Sequence, residues 1–352
     1  MVVLGVDVHK DSHHVVGIDE AGRQLMSWSS GTRTRDCEAL IARARAAFPD
    51  GRVWAVEDCR HVSGRLERAL LGAGERCYRV PPKLMAGARR AARTRGKSDP
   101  IDALAIARAA LANPGLPVAE HTHLSHDLKV LVDHREDLVG TRTRIENRLR
   151  WHLHDLDPDI ESTIPAKALH APKFLEPLRR RLGRLPQTTQ VRICRDLVND
   201  IADLTRREKA LEREITTIVG EQARDLLQIP GCGALTAAKI VAETGNPVRF
   251  RHEACFAMHA GVAPIPASSG RTNRHRLARG GNRQLNAALH RIAVTQIRLQ
   301  GPGRAYYQHR REQGDTTMDA LRVLKRKIAR RVFKTLTTPS TSMIATPLAI
   351  AA

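Results

Sequence analysis

Along the N-terminal third of the chain the spacing of apolar positions switches between a strand period and a helix period. Val2 to Val8 is a β-branched apolar run and His13 to Ile18 a second, with the polar His9 to Ser12 turning the chain between them. Glu20-Ala-Gly22 marks the next turn, and Arg35 to Phe48 takes helical spacing through Leu40, Ile41 and Ala44 until Pro49-Asp50-Gly51 stops it. Arg52 to Val56 is a short apolar strand that delivers Glu57 at its end. A helix over Val62 to Leu71 and a strand over Arg76 to Val80 follow, the latter broken by Pro81-Pro82. This order predicts a mixed sheet flanked by helices over residues 1–115, an α/β domain.

From Leu124 to Gly220 the pattern becomes purely helical. Leu138, Ile145, Leu149, Leu153 and Leu156 lie on one stripe, and Leu197, Ile201, Leu204, Leu211, Ile215 and Ile218 on another, with a Pro-containing stretch from Asp157 to Pro186 between them. The expectation is a long antiparallel helical arm over 124–220. Polar residues such as Arg142 and Glu208 interrupt its heptads and argue against a strict coiled coil. A third, mainly helical (all-α) unit is expected over 223–335, and the Thr/Ser/Pro/Ala-rich residues 337–352 read as a disordered tail.

Charge changes this picture from architecture to partner. The 352 residues carry 58 Lys+Arg against 37 Asp+Glu, a net charge of +21, which attracts polyanions and releases their counterions on binding. A GC-rich coding bias accounts for part of the arginine content but not for the imbalance, so nucleic acid is the expected partner. Aromatic residues make up 3%, too few for base stacking to be the main mode of capture. The six cysteines show no zinc-finger spacing and read as buried thiols of a reducing cytoplasm. No signal peptide opens the chain, and no apolar run approaches the ~20 residues that span a bilayer. The expected setting is cytoplasmic, beside the bacterial nucleoid, with no membrane partner.

Four carboxylates then stand out. Asp7 sits near the end of one expected strand and Glu57 at the end of another, while Asp99 and Asp102 lie three apart where Lys97-Ser-Asp-Pro-Ile-Asp102 starts a helix. Ser98 or Asp99 can cap that helix, with Pro100 in its first turn, and the three-residue spacing points both aspartates to nearly one side. Singly, Asp99 reads equally well as a cap and Asp102 as a first-turn charge favoured by the helix dipole. Together, strand-end and helix-start carboxylates can converge into a self-repelling cluster that hard cations hold, which suits Mg²⁺ or Mn²⁺ and a two-metal clamp on a phosphodiester. A phosphate-binding ATPase or sugar kinase also opens on a strand, an Asp and a turn. Val8-His-Lys-Asp-Ser12 lacks the glycines that wrap phosphates.

Further along, Leu226 to Ile240 reads as two short helices joined by Pro230-Gly231-Cys232-Gly233, with Ile229, Ala237 and Ile240 as apolar packing. Such a helix-hairpin-helix grips nucleic-acid backbone through Gly231, Gly233 and the free amides of the next helix, though an ordinary helix turn has the same composition. Gly261-Val-Ala-Pro-Ile-Pro-Ala-Ser268-Ser269-Gly270 is followed by Arg271, Arg274, Arg276 and Arg283. This loop either binds phosphate through hydroxyls and amides or carries a nucleophilic serine with arginines beside the transition state, and spacing does not choose between them.

Taken in order, Gly5-Val-Asp7-Val-His-Lys10, Val56-Glu57-Asp58, Arg95-Gly-Lys-Ser-Asp99-Pro-Ile-Asp102-Ala, Ile229-Pro-Gly-Cys-Gly233, Gly261 to Pro264, Ser268-Ser-Gly270 and Gly281-Asn-Arg283 resemble the bridge-RNA-guided insertion-sequence recombinases. The resemblance covers nearly the whole chain except its C-terminal tail. It implies a ribonuclease-H-like, RuvC-like N-terminal domain with DEDD carboxylates at Asp7, Glu57, Asp99 and Asp102 binding Mg²⁺, and a C-terminal serine transposase domain. It also implies a serine that forms a covalent phosphoserine link to DNA, placed at Ser269 with Ser268 as the rival. A homo-oligomer of dimer to tetramer size and a noncoding guide RNA that pairs with donor and target DNA are implied as well. The alternative is a RuvC-type metal-dependent junction endonuclease that uses water as nucleophile.

Overall fold

The computed structural model describes residues 1–57, 62–91, 98–116, 118–120, 122–267, 275–278 and 280–338, and the chain is a mixed α/β protein. It divides into two compact units, one formed by 1–125 with 243–352 and the other by 126–242. The sequence expectation cut the chain elsewhere: residues 223–242 group with the helical arm, and residues from 243 onward with the N-terminal sheet.

In the first unit the apolar runs become β1 (Val2–Val8), β2 (His13–Ile18), β4 (Arg52–Glu57) and β5 (Cys77–Val80). A further strand, β3 (Gln24–Ser30), was not expected. It pairs antiparallel with β2 and turns Met26 and Trp28 toward the core, while Leu25 is left exposed and serines take the other outward positions. With such weak alternation, its pairing to β2 supplies what its own pattern does not. The five-stranded sheet runs β3-β2-β1-β4-β5, antiparallel across β3, β2 and β1 and parallel across β1, β4 and β5.

Alternation along the strands gives the sheet two apolar faces. Leu4, Val6, Trp54 and Val56 pack with Cys37, Leu40 and Ile41 of α1 (Thr34–Ala47) and with Leu66 and Leu70 of α2 (Gly64–Gly72). Val3, Val16, Val53 and Ala55 face the alanine-rich α4 (Asp99–Leu111), which α3 (Pro82–Ala91) flanks. The proline pair that ends β5 therefore also opens a helix, Pro82 being tolerated in a first turn where no amide partner is needed.

The second unit is helical. α5 (His123–Leu156) and α8 (Thr189–Gln222) are 34 residues each, about 50 Å long at ~1.5 Å per residue. They run antiparallel, since Arg135 pairs with Glu212, Arg142 with Glu208, and the His152 carbonyl with Gln190. The Pro-containing stretch between them folds into α6 (Pro158–Ser162) and α7 (Pro172–Arg184). Leu175, Leu178 and Leu182 of α7 join Leu149, Leu153, Leu197 and Ile201 in one buried cluster. A 3₁₀ helix (Arg224–Gln228) and α9 (Ala234–Thr244) follow α8.

In the C-terminal part of the first unit, α10 (Glu253–His259), α11 (Arg283–Arg298) and α12 (Pro302–Glu312) pack against α13 (Thr317–Thr337). A small antiparallel ribbon of β6 (Pro264–Pro266) and β7 (His275–Leu277) precedes α11. No helix of the described residues is long and apolar enough to cross a membrane.

Candidate functional site

The four carboxylates reach one edge of the sheet by parity and register. β1 pairs in parallel with β4 as far as Val6 opposite Val56, so Asp7 and Glu57 occupy the next, side-by-side positions at the C-terminal ends of neighbouring strands. Both belong to the alternation of Val3, Val53 and Ala55, the face covered by α4. The first turn of α4 carries Asp99 and Asp102 above that same edge, with Pro100 as expected in the turn. Ser98 occupies the N-cap position with extended backbone but makes no side-chain capping bond.

α4 can come this close because β1 has glycine beneath it. A Cβ on Gly5 would stand 2.7 Å from the Cβ of Ala107 and nearer still to the helix backbone at Ala103 and Ala107. Small residues on both elements therefore set the height of Asp99 and Asp102 over the strand ends.

The electrostatics are those of a crowded anionic site. Asp7 and Asp102 are buried, Glu57 is half-buried and Asp99 is exposed. Burial pushes the Asp7 carboxyl above its ordinary value, a hydrogen bond with His9 pulls it back in part, and the negative neighbours Asp102 and Asp99 add to the rise. Arg89 of α3 donates from Nη1 to Asp102 Oδ1 at 2.9 Å. His9 Nε2 lies 3.0 Å from Asp7 Oδ2 and 3.6 Å from Asp99 Oδ1. Asp7, His9 and Asp99 thus offer ligand atoms all within 4.8 Å of one another. This donor set fits a divalent cation: carboxylate oxygens from two elements, one buried and held against like charge, with open water on the Asp99 side.

The sequence places His9 in a polar turn and gives it no part in the carboxylate site. Its role follows from the β1–β2 register, in which the His9 amide donates to the Ser12 carbonyl and the turn folds back over the strand end. Arg89 lay in a stretch with no expected element, and no signal short of the α3–α4 packing could have placed it on Asp102.

The other candidates stand apart from this cluster. Gly231 sits in the turn between the 3₁₀ helix and α9 with φ +82°, a conformation that favours glycine, and Gly233 directly precedes α9. Ile229, Ala237 and Ile240 are buried, and burial pushes the Cys232 thiol up to about 12. Ser268, Ser269, Arg271 and Arg274 lie outside the described residues. Arg276 lies in β7 opposite Ile265, and Arg283 begins α11; both are exposed.

One feature escaped the sequence because its residues come from distant segments. A groove of about 1270 Å³ in the first unit is lined by Arg76, Arg79, Lys83, Arg249, Arg251 and Arg283, and by no carboxylate among the described residues. Arg79 is spoken for by Glu67, at 2.6 Å. Lys83, Arg251 and Arg283 are exposed.

Comparison with known proteins then decides the class. Residues 4–158 match the transposase family model of the IS110 DEDD type, and residues 223–308 match the model described as transposase IS116/IS110/IS902 family. The chain carries transposase domains of the IS110/IS116/IS902 family. The insertion element IS116 44.8 kDa protein of Streptomyces clavuligerus is 29% identical over 92% of this chain and 92% of its own length. The insertion element IS110 43.6 kDa protein of Streptomyces coelicolor is 27% identical over 93% and 91%. The transposase for insertion sequence element IS1111A of Coxiella burnetii is 26% identical over 76% and 70%. The structure of T. thermophilus RuvC in complex with Holliday junction substrate matches 32% of this chain and 94% of that chain, at 18% identity and a TM-score of 0.26. The first transposase domain contains all four carboxylates of the cluster, and the second contains the glycine turn, the Ser268-Ser269 loop and Arg276 and Arg283.

Proposed function

We propose that this transposase cuts and rejoins DNA at a composite of the carboxylate cluster and the serine loop, on a ribonuclease-H-like sheet. The observation that carries this reading is the placement of Asp7 and Glu57 at neighbouring strand ends beside the first turn of α4, where Asp7 and Asp99 offer ligand atoms together with His9 and burial raises the Asp7 carboxyl. Asp7, Glu57, Asp99 and Asp102 would hold Mg²⁺, which when bound supplies charge stabilisation to a phosphodiester undergoing displacement. His9 bridges Asp7 and Asp99, and Arg89 holds Asp102, so these three carboxylates have partners in the protein alone.

Ser269 is the nucleophile in this reading. Its Oγ bonds to phosphorus as the bond from phosphorus to one DNA oxygen breaks; the hydroxyl proton leaves and the departing oxygen gains one. Rejoining is the reverse attack by a DNA hydroxyl on the phosphoserine, which conserves the phosphodiester without an external energy source. Arg271, Arg274, Arg276 and Arg283 are the phosphate contacts, and the Gly231–Gly233 turn grips backbone. A noncoding guide RNA chooses donor and target by pairing, and homo-oligomerisation brings the two domains of different copies together.

Trapping tests this. With element-end DNA and Mg²⁺, the wild type yields a protein–DNA adduct that Ser269→Ala abolishes and Ser268→Ala retains. An adduct lost only in Ser268→Ala moves the nucleophile by one residue. Cleavage unaffected by either change sinks the covalent reading in favour of a water-dependent junction endonuclease. Asp102→Asn abolishes cleavage in both readings.

A further inference from the structure

Outside the carboxylate cluster, the first unit holds a buried cation with no carboxylate partner among the described residues. Lys325 of α13 is 7% exposed, and its ammonium donates to Asn286 Oδ1 on α11 at 2.6 Å. The orientation of that amide is fixed from the other side. Asn286 Nδ2 donates to the carbonyls of Ala260 and Gly261 at 2.9 and 3.0 Å, so the oxygen must face the lysine. An ammonium has three N–H donors, and burial of a charge without a counter-ion is costly unless a ligand completes its shell.

The space beside it points to that ligand. A pocket of about 510 Å³ is lined by Lys325, Asn286, His290, Arg283, Gly261 and Gly281, among others, and by no carboxylate. Lys325 lies at its buried end, and Arg283 and His290 are exposed at its rim, one helical turn either side of Asn286 on α11. Gly261 and Gly281 close the wall of the pocket by packing against each other: a Cβ on Gly281 would meet the Gly261 backbone, and one on Gly261 would meet the Ala278 carbonyl and Asn286. Burial and the positive charge of Lys325 hold the His290 imidazole below its ordinary value, and burial with Arg322 holds Lys325 down to about 8. Burial is the larger cause of both shifts and neighbouring positive charge the smaller, and it is the smaller part that an anion would relieve.

We propose that this pocket is a receptor for one phosphodiester group of a nucleic-acid strand, with Lys325 as its buried donor, Arg283 and His290 at its rim, and Asn286 as the residue that positions Lys325. The inference rests on the reading of the chain as a DNA-processing enzyme for the source of the phosphodiester. The site itself stands on the cavity and on a buried cation that has no carboxylate partner among the described residues. Gly261 and Ala278 of its lining lie just outside the β6–β7 ribbon, so a strand seated here would run past the arms of the serine-containing loop.

The full-length protein with ¹³Cε1-labelled histidine tests this apart from catalysis, with the His290 signal assigned by its loss in His290→Asn. Titration with dimethyl phosphate at constant ionic strength shifts the His290 signal saturably and raises its titration midpoint. Lys325→Met and Arg283→Gln each remove the shift. The rim variant guards against misfolding of the buried one. No saturable shift, or a shift unchanged in both variants, overturns the receptor. In binding titrations against a DNA duplex and an RNA hairpin, the Lys325→Met chain loses about one unit of salt slope for whichever strand occupies the pocket. Slopes unchanged for both also overturn it. A dimethyl phosphate response that survives while DNA cleavage is absent would leave the receptor standing and remove the transposase reading instead.

Discussion

Gly5 of β1 and Ala107 of α4 are packed so closely that a Cβ on the glycine would stand 2.7 Å from the alanine Cβ. Two of the site's four carboxylates ride on that helix, and one on that strand. Site geometry and core packing are therefore the same contact.

Gly5→Ala should then do two things at once. Overpacking of this kind costs ~1–3 kcal/mol, and backbone rather than a flexible side chain meets the new methyl, which places the loss toward the upper end. A lowered urea midpoint checks the first effect. The second is weaker Mg²⁺ binding without loss of any ligand, read by calorimetry on the folded variant. A variant that is destabilised but binds Mg²⁺ like the wild type would separate packing from site geometry.

Arg89 offers a different handle, since its guanidinium is the cation on Asp102 when no ion is bound. Arg89→Met leaves a buried carboxylate uncompensated, at a cost of ~1–3 kcal/mol. Mg²⁺ should restore more stability to Arg89→Met than it adds to the wild type, because binding to the native state stabilises by mass action. Thermal melts with and without Mg²⁺ measure the difference. Equal increments in both proteins would mean that the ion does not meet Asp102.

Much of the fold is legible in the sequence. Val2–Val8, His13–Ile18 and Arg52–Glu57 announce themselves because buried strands need nearly unbroken apolar runs, and Asp7 and Glu57 stand out as carboxylates at the C-terminal ends of two of them. β3 did not, because Gln24–Ser30 is an edge strand whose inward Met26 and Trp28 are spaced by polar residues. His9 and Arg89 were illegible as partners of Asp7 and Asp102, since register and helix packing, not local pattern, bring them there. Arg142 and Glu208 were legible only as interruptions of a heptad. In the structure they interrupt it together, each being the other's partner across α5 and α8.

That pairing carries its own prediction. Arg142 is buried and bonded to Glu208, lies 3.3 Å from Glu146, and shares Glu208 with Arg135 at 2.5 Å. Removing one member strands the others, so Glu208→Leu should cost ~3–5 kcal/mol, whereas replacing the pair with apolar residues is often neutral. Chemical denaturation of Glu208→Leu beside Arg142→Met/Glu208→Leu checks this, with most of the loss recovered in the double variant. A double variant no better than the single would make the network, rather than the stranded charge, the source of stability.

Lys325 gives the clearest pH signature. Its ammonium is held down to about 8, against 10.5 for an ordinary lysine, by burial first and by the charge of Arg322 second. Below pH 8 both the folded and the unfolded chain hold this proton, and the folded state bears the full burden of a buried charge. Between 8 and 10.5 the unfolded chain binds more protons than the folded one, so this group's contribution to stability rises with pH across that window. Lys325→Met lacks the burden and should be the more stable protein at pH 7. At ~1.4 kcal/mol per pH unit the gain is on the order of 3 kcal/mol, less the hydrogen bond lost to Asn286. The advantage should shrink from pH 8 upward and be gone near 10.5, which urea unfolding of the two proteins across that range reads directly. A difference that stays flat with pH would show that Lys325 is not held as a charged group in a buried, carboxylate-free place.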